Sequence, residues 1–120
     1  FRVFVELVRA CGPNPAPHEA AAIGRIASHI MTLRRISISV AGMLENSKDV
    51  AVDAALLKEL GNNFEKTLPE IARLAAPMEA SRGSFRAAFE QTLLGSPAFT
   101  LRGGTREILR GVIARGLGLR

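Results

Sequence analysis

The sequence predicts an all-α domain, an antiparallel four-helix up-and-down bundle, and three observations carry that expectation. Apolar residues recur every three or four positions through most of the 120 residues. The periodic stretches are long and joined by short polar or Pro/Gly-rich links, which makes neighbours antiparallel. The hydrophobic share is 48% but there are only six Phe and no Trp or Tyr, so Ala, Leu and Ile must fill the interior, as suits close-packed helices. A chain of this length fits one domain that buries about two thirds of its unfolded surface.

Phe1 to Ala10 is ambiguous by period. Phe1, Phe4, Val5 and Val8 have helical spacing, whereas Phe1, Val3, Val5 and Leu7 alternate as in a strand. With no partner strand in the sequence, the segment reads as the end of a helix that starts upstream, a stub beside the four main helices. Cys11 to Pro17, CGPNPAP, is a connector. A long helix then runs from His18, with Ile23, Ile26, Ile30, Leu33, Val40 and Leu44 in register. Gly24 and Gly42 weaken it as an isolated peptide, so a neighbouring helix is expected to lie close over them.

Asn46–Asp49 makes a polar turn in which Ser47 or Asp49 can cap the next helix. That helix carries Ala54, Leu57, Leu60, Phe64, Leu68, Ile71 and Leu74 on one stripe and is expected to continue through Pro69 with a kink, although Thr67-Leu68-Pro69-Glu70 also has the form of a capping box. Ala76 to Gly83 closes it. A shorter helix runs from Ser84 to about Leu94 and ends at Gly95-Ser96-Pro97. Phe99 to Gly104 is an irregular arm, and the last helix runs from Thr105 to about Leu117, stopped by Gly116 and Gly118. The expected organisation is therefore one domain over 1–120: helix end and connector in 1–17, long helices in 18–94, arm and last helix in 95–120.

Composition narrows the function. Cys11 is the only cysteine, so no disulfide framework or Cys metal site is possible, and a reducing cytoplasm is the simplest compartment. Ser37 to Leu44 is far shorter than the ~20 apolar residues that cross a bilayer, so no membrane role is expected. His18 and His29 lack neighbouring ligands at metal spacing. The formal net charge is +5, and the basicity is local: Arg102, Arg106, Arg110, Arg115 and Arg120 face only Glu107 in the last twenty residues. Such an end suits phosphates, a coenzyme A tail, nucleic acid or an acidic neighbour, or simply solvates a helix face. A small basic binding module is thus an alternative function. It lacks aromatic residues among the arginines and a recognition-helix signature, and nucleic acid is not expected as a partner.

The most informative segment is FTLRGGTREILRGVIARGLGLR, residues 99–120. Gly103 and Gly104 let the backbone approach a ligand closely, and Thr105 is placed to cap a helix whose amide end favours anions. This string resembles the closing segment of bacterial acyl-CoA dehydrogenases, and the long helices upstream are similar to the family's helical C-terminal domain in pattern and length. The resemblance implies a fragment of a longer flavin-dependent enzyme, inactive alone, that desaturates an acyl-CoA thioester between its α and β carbons. It implies FAD as cofactor, with Thr105 and Glu107, and also Arg106, at the flavin. It places Gly103 and Gly104 at the substrate, the Gly103 amide helping to bind the thioester carbonyl. A homo-oligomer, commonly a tetramer, or a heteromeric paralogue is the implied assembly. Many members of the family carry their glutamate base immediately before the Gly-Thr pair, where this chain has Gly103. No catalytic residue is therefore expected in this chain. The base either lies on an earlier helix, as in members similar to isovaleryl-CoA dehydrogenase, or belongs to a catalytic partner of a baseless paralogue, the first being favoured.

Overall fold

The computed structural model describes residues 1–77, 80 and 82–119, which form five α-helices and no strand. They are α1 (Arg2–Cys11), α2 (Pro17–Glu45), α3 (Ala51–Ala75), α4 (Ser84–Phe99) and α5 (Arg106–Gly116). No helix among the described residues is long and apolar enough to cross a membrane. Pro17 opens α2, where a missing amide hydrogen costs nothing. One turn later the Glu19 carboxylate accepts the Ala16 N–H at 2.7 Å.

Every other helix packs on α3. Contacts fix the directions. His29 of α2 stacks on Phe64 of α3 with ring centroids 5.3 Å apart, and His18 and Ala22 share a groove with Ile71 and Ala75, so the two long helices are antiparallel. On another side of α3, Phe85 and Phe89 of α4 lie beside Ala76 and Arg73, and Gly95 and Phe99 beside Leu68 and Glu65. α5 continues in the same direction, with Arg106 at Glu59 and Gly116 at Val52. α4 and α5 are thus two segments of one rail laid antiparallel along α3.

α1 runs antiparallel to α4. Phe1 and Arg2 lie near Gly95 and Phe99, while Glu6 takes the Ser84 hydroxyl hydrogen at 2.6 Å. That bond, followed by Arg9, holds the Glu6 carboxyl below the usual carboxylate range against its burial. The core sits where α1, α2, α3 and α4 converge, around Val3, Leu7, Ile26, Phe64, Leu68, Ala72, Phe85 and Ala88. Beyond it the α2–α3 hairpin continues with only α5 alongside, and the molecule is elongated, 50 × 26 × 22 Å.

Several expectations change. α1 is no stub: it buries Val3 and Leu7 completely in the shared core. The helix expected to stop at Leu94 runs to Phe99, so 95–99 belongs to α4 and not to the arm. Pro97 has no N–H to give the Leu93 carbonyl, but the Ser96 hydroxyl donates to it at 2.9 Å and the helix continues. α3 is continuous through Pro69; the Thr67 hydroxyl bonds back to the Asn63 and Phe64 carbonyls and caps no new helix. At the start of α3, Asp49 accepts the Ala51 N–H while Val50 holds the cap position. Gly116 is inside α5, where a Cβ would overlap Val52, so it permits close approach to α3. Gly118, with φ 74°, follows as the stop. Among the described residues nothing lies over Gly24 or Gly42: a Cβ at either would meet no atom within 4 Å. Met78, Glu79 and Ser81 of the closing segment, and Arg120, fall outside the described residues.

Leu7 is fully buried in this core, and removing its side chain to give Leu7→Ala leaves a cavity worth about 2–5 kcal/mol. Urea unfolding is expected to show that loss, with the midpoint falling at unchanged slope. A loss below about 0.5 kcal/mol, the range of exposed substitutions, would show that α1 is not a core helix.

Candidate functional site

The arm between α4 and α5 is built by backbone conformation. Thr100 to Gly104 form turns, entered by Leu101 N–H donating to the Ala98 carbonyl at 3.2 Å and by the Thr100 hydroxyl donating to Pro97. Gly103 and Gly104 have φ of 74° and 106°, a region that side chains disfavour. A Cβ at Gly103 would also press on the Lys58 side chain at 3.3 Å. Both glycines are therefore demanded by the path of the chain. Thr105 then returns to extended backbone at φ −70°, ψ 163° and starts α5. Among the described residues, the amides of Gly103 and Thr105 find no backbone acceptor.

What holds this arm in place is one carboxylate of α3. Glu59 Oε1 accepts Nε and Nη2 of Arg106 at 3.1 and 3.0 Å and Nε of Arg110 at 3.0 Å. Arginines four apart lie on one face of α5, so both reach the same oxygen. Leu109, buried between them in sequence, adds the apolar anchor. Burial pushes the Glu59 carboxyl upward, but the hydrogen bonds and charges of the two arginines outweigh it and hold the group below the usual carboxylate range. Glu59 Oε2 is buried without a hydrogen bond in the protein, as are both polar atoms of Asn62 one turn along α3. Arg102 places its guanidinium 5.4 Å from the centroid of the Phe99 ring, a cation–π contact across the base of the arm.

The residues singled out from sequence thus fall together, at the junction of arm and helix. Gly103 is exposed and Gly104 half-buried; Thr105 holds the N-cap position but, against expectation, its side chain makes no cap hydrogen bond, and Glu107 is exposed in the first turn. The Glu107 carboxyl is held low by its own backbone amide and then by the Thr105 hydroxyl. Arg106, expected at a cofactor, spends Nε and Nη2 on Glu59. Sequence reading missed Lys58, Glu59, Asn62 and the Phe99 ring. The available signal for Glu59 was the surplus of arginine on α5, which needs an acid from another element. His29 bonds its own helix at the Arg25 carbonyl and stacks on Phe64, and no metal-holding cluster occurs among the described residues. The grooves along α1, the hairpin base and the α3–α4 seam, of about 310 to 550 Å³, are not lined by residues 101–107.

The clamp gives a pH dependence with a definite sign. A carboxylate whose folded pKa is depressed stabilises fully above its unfolded pKa, and the contribution is lost as pH falls through the lower folded value. Exchange protection of α5 amides is therefore expected to fall in acid below the ordinary carboxylate range. Glu59→Gln should reduce that protection at neutral pH by about 1–3 kcal/mol and flatten this part of the pH curve. Equal protection in wild type and Glu59→Gln would show that the clamp does not fasten α5.

No protein-family profile matches the chain, and neither the curated proteins nor the solved structures contain a significant match to it.

Proposed function

We propose that the chain is the C-terminal helical domain of a flavin-dependent acyl-CoA dehydrogenase, contributing one wall of the flavin and thioester site and part of a homo-oligomer interface. In this reading the up-and-down bundle comprises α1, α2, α3 and the α4–α5 rail, with α5 carrying the rail past the bundle to the site. The observation that carries the proposal is the Leu101–Arg110 string itself, held as two positive-φ glycines with open amides at Gly103 and Thr105 at the start of a helix.

These groups suit the chemistry. The Gly103 amide can donate to a thioester carbonyl and stabilise the enolate-like charge that develops as the α-proton leaves. The amide end of α5 favours anionic cofactor groups, and Thr105 offers its hydroxyl at the same end. A bound flavin would accept the hydride from the β-carbon. Gly103 has no side chain to take the α-proton, so the base comes from an earlier helix of the longer protein. Glu107 is committed to its own helix end through its amide and Thr105. Lys58 packs beneath Gly103 and fixes the depth of the arm. The alternative, a basic binding module, is weakened because Arg106 and Arg110 share Glu59, whose carboxylate offsets one of their two charges.

The test is made on the full protein that carries this chain. Thr105→Ala is expected to weaken flavin retention by about tenfold, as loss of one hydrogen bond implies. Helix content should stay unchanged by circular dichroism. Normal flavin content and normal acyl-CoA turnover in that variant would overturn the proposal.

A further inference from the structure

Three buried side-chain atoms on the arm's side of α3 have no hydrogen bond within the chain, and they belong to two neighbouring residues. Asn62 is fully buried with neither its carboxamide oxygen nor its nitrogen paired, and Glu59 Oε2 is buried in the same state. Residues three apart on a helix share a face, so the Asn62 carboxamide lies one turn from the carboxylate that holds Arg106 and Arg110. The rail fixes what lies over it. Phe99 at the end of α4 is beside Glu65 and Leu68, and Arg106 at the start of α5 is on Glu59. Asn62 comes midway between these two contacts, opposite the arm, and Lys58 packs under Gly103 one turn away. The arm brings an unpaired donor of its own. Thr105, half-buried and adjacent to Arg106, has an N–H that finds no backbone acceptor among the described residues.

Leaving buried polar atoms unpaired is costly, and this set is complementary. Asn62 Nδ2 is a donor and Glu59 Oε2 an acceptor; Asn62 Oδ1 is an acceptor and the Thr105 N–H a donor. Two hydrogen bonds therefore satisfy all four groups. The two positive-φ glycines just before Thr105 give the arm the freedom to settle into them. We infer that Asn62 is the positioning residue of the arm: when the arm settles on α3, Nδ2 donates to Glu59 Oε2 and Oδ1 accepts the Thr105 N–H. The arginine clamp is thereby linked to the backbone of the arm, and the N–H of the exposed Gly103 is the amide left for a ligand. Only the use of that amide at a thioester rests on the proposed function. The seat on Asn62 belongs to the chain and is read without cofactor, so the two fail separately.

Amide exchange in the full protein that carries this chain, followed residue by residue by NMR, tests the seat. The Thr105 amide is expected to exchange about fivefold or more faster in Asn62→Ala than in wild type, the effect of one lost hydrogen bond. The Gly103 amide should exchange fast in both. Glu59→Gln should speed Thr105 exchange as well, because a new amide donor at that position draws Asn62 Oδ1 away from Thr105. Glu59→Gln combined with Asn62→Asp reverses donor and acceptor and keeps the net charge, so it should slow Thr105 exchange again relative to Glu59→Gln alone. A side chain that merely fills space gives no such rescue, because its effect simply adds to that of Glu59→Gln. Thr105 exchange that is the same in wild type and Asn62→Ala would overturn the inference. So would a double variant whose Thr105 amide exchanges no more slowly than in Glu59→Gln.

Discussion

The arm and α5 depend on one interaction, the meeting of Glu59 with Arg106 and Arg110. α5 touches no other helix than α3, so its position is set by a short seam containing Leu109, the Gly116–Val52 approach and this clamp. Of these, only the clamp is directional. Leu109 supplies burial that tolerates rotation and sliding, whereas three N–H groups converging on one oxygen tolerate little of either. The cost is visible in the same place: Glu59 Oε2 and the side chain of Asn62 are buried without hydrogen bonds in the protein. A polar group buried in that state costs about 1–3 kcal/mol, which is justified where geometry matters more than stability.

The two ends of the molecule are built differently. Around Leu7, Ile26, Phe64 and Phe85, four helices enclose an apolar core in which α1 is a full member. Past Phe64, α3 keeps α2 on one side and α5 on another, and these two do not meet. Large apolar side chains are consequently left at the surface of the distal half, among them Ile38, Leu56, Leu60 and Ile108. The core end supplies the stability, and the distal end carries both the arm and the unpartnered face of α2.

Long-range periodicity made the helices legible, since α2 and α3 span their apolar repeats, but not the buried face: Leu44, Leu60 and Leu74 of those repeats are exposed, and Ala55, Ala72 and Ala75 are buried instead. The turn residues were legible as well, since Gly103 and Gly104 adopt the positive φ for which glycine is suited. The boundary of α4 was not, because a local side-chain bond from Ser96 offsets what Pro97 removes, and no propensity scale contains that pairing. The Phe1 segment carried two periods at once, and tertiary burial of Val3 and Leu7 decided between them. Glu59 lies off the apolar stripe expected of α3, and its partners are 47 and 51 residues away, so only the surplus of arginine on α5 pointed to it. The glycines of α2 pointed to a close neighbour that the chain itself does not provide.

The central claim is that the arm forms one wall of a flavin and thioester site. Its most direct measurement is anaerobic addition of an acyl-CoA thioester to the full flavin-loaded protein while the visible absorption of the flavin is followed. Bleaching with stoichiometric formation of the α,β-unsaturated thioester is the result expected. A flavin that stays oxidised in the presence of a series of acyl-CoA substrates, or a protein that takes up no flavin at all, would contradict the account.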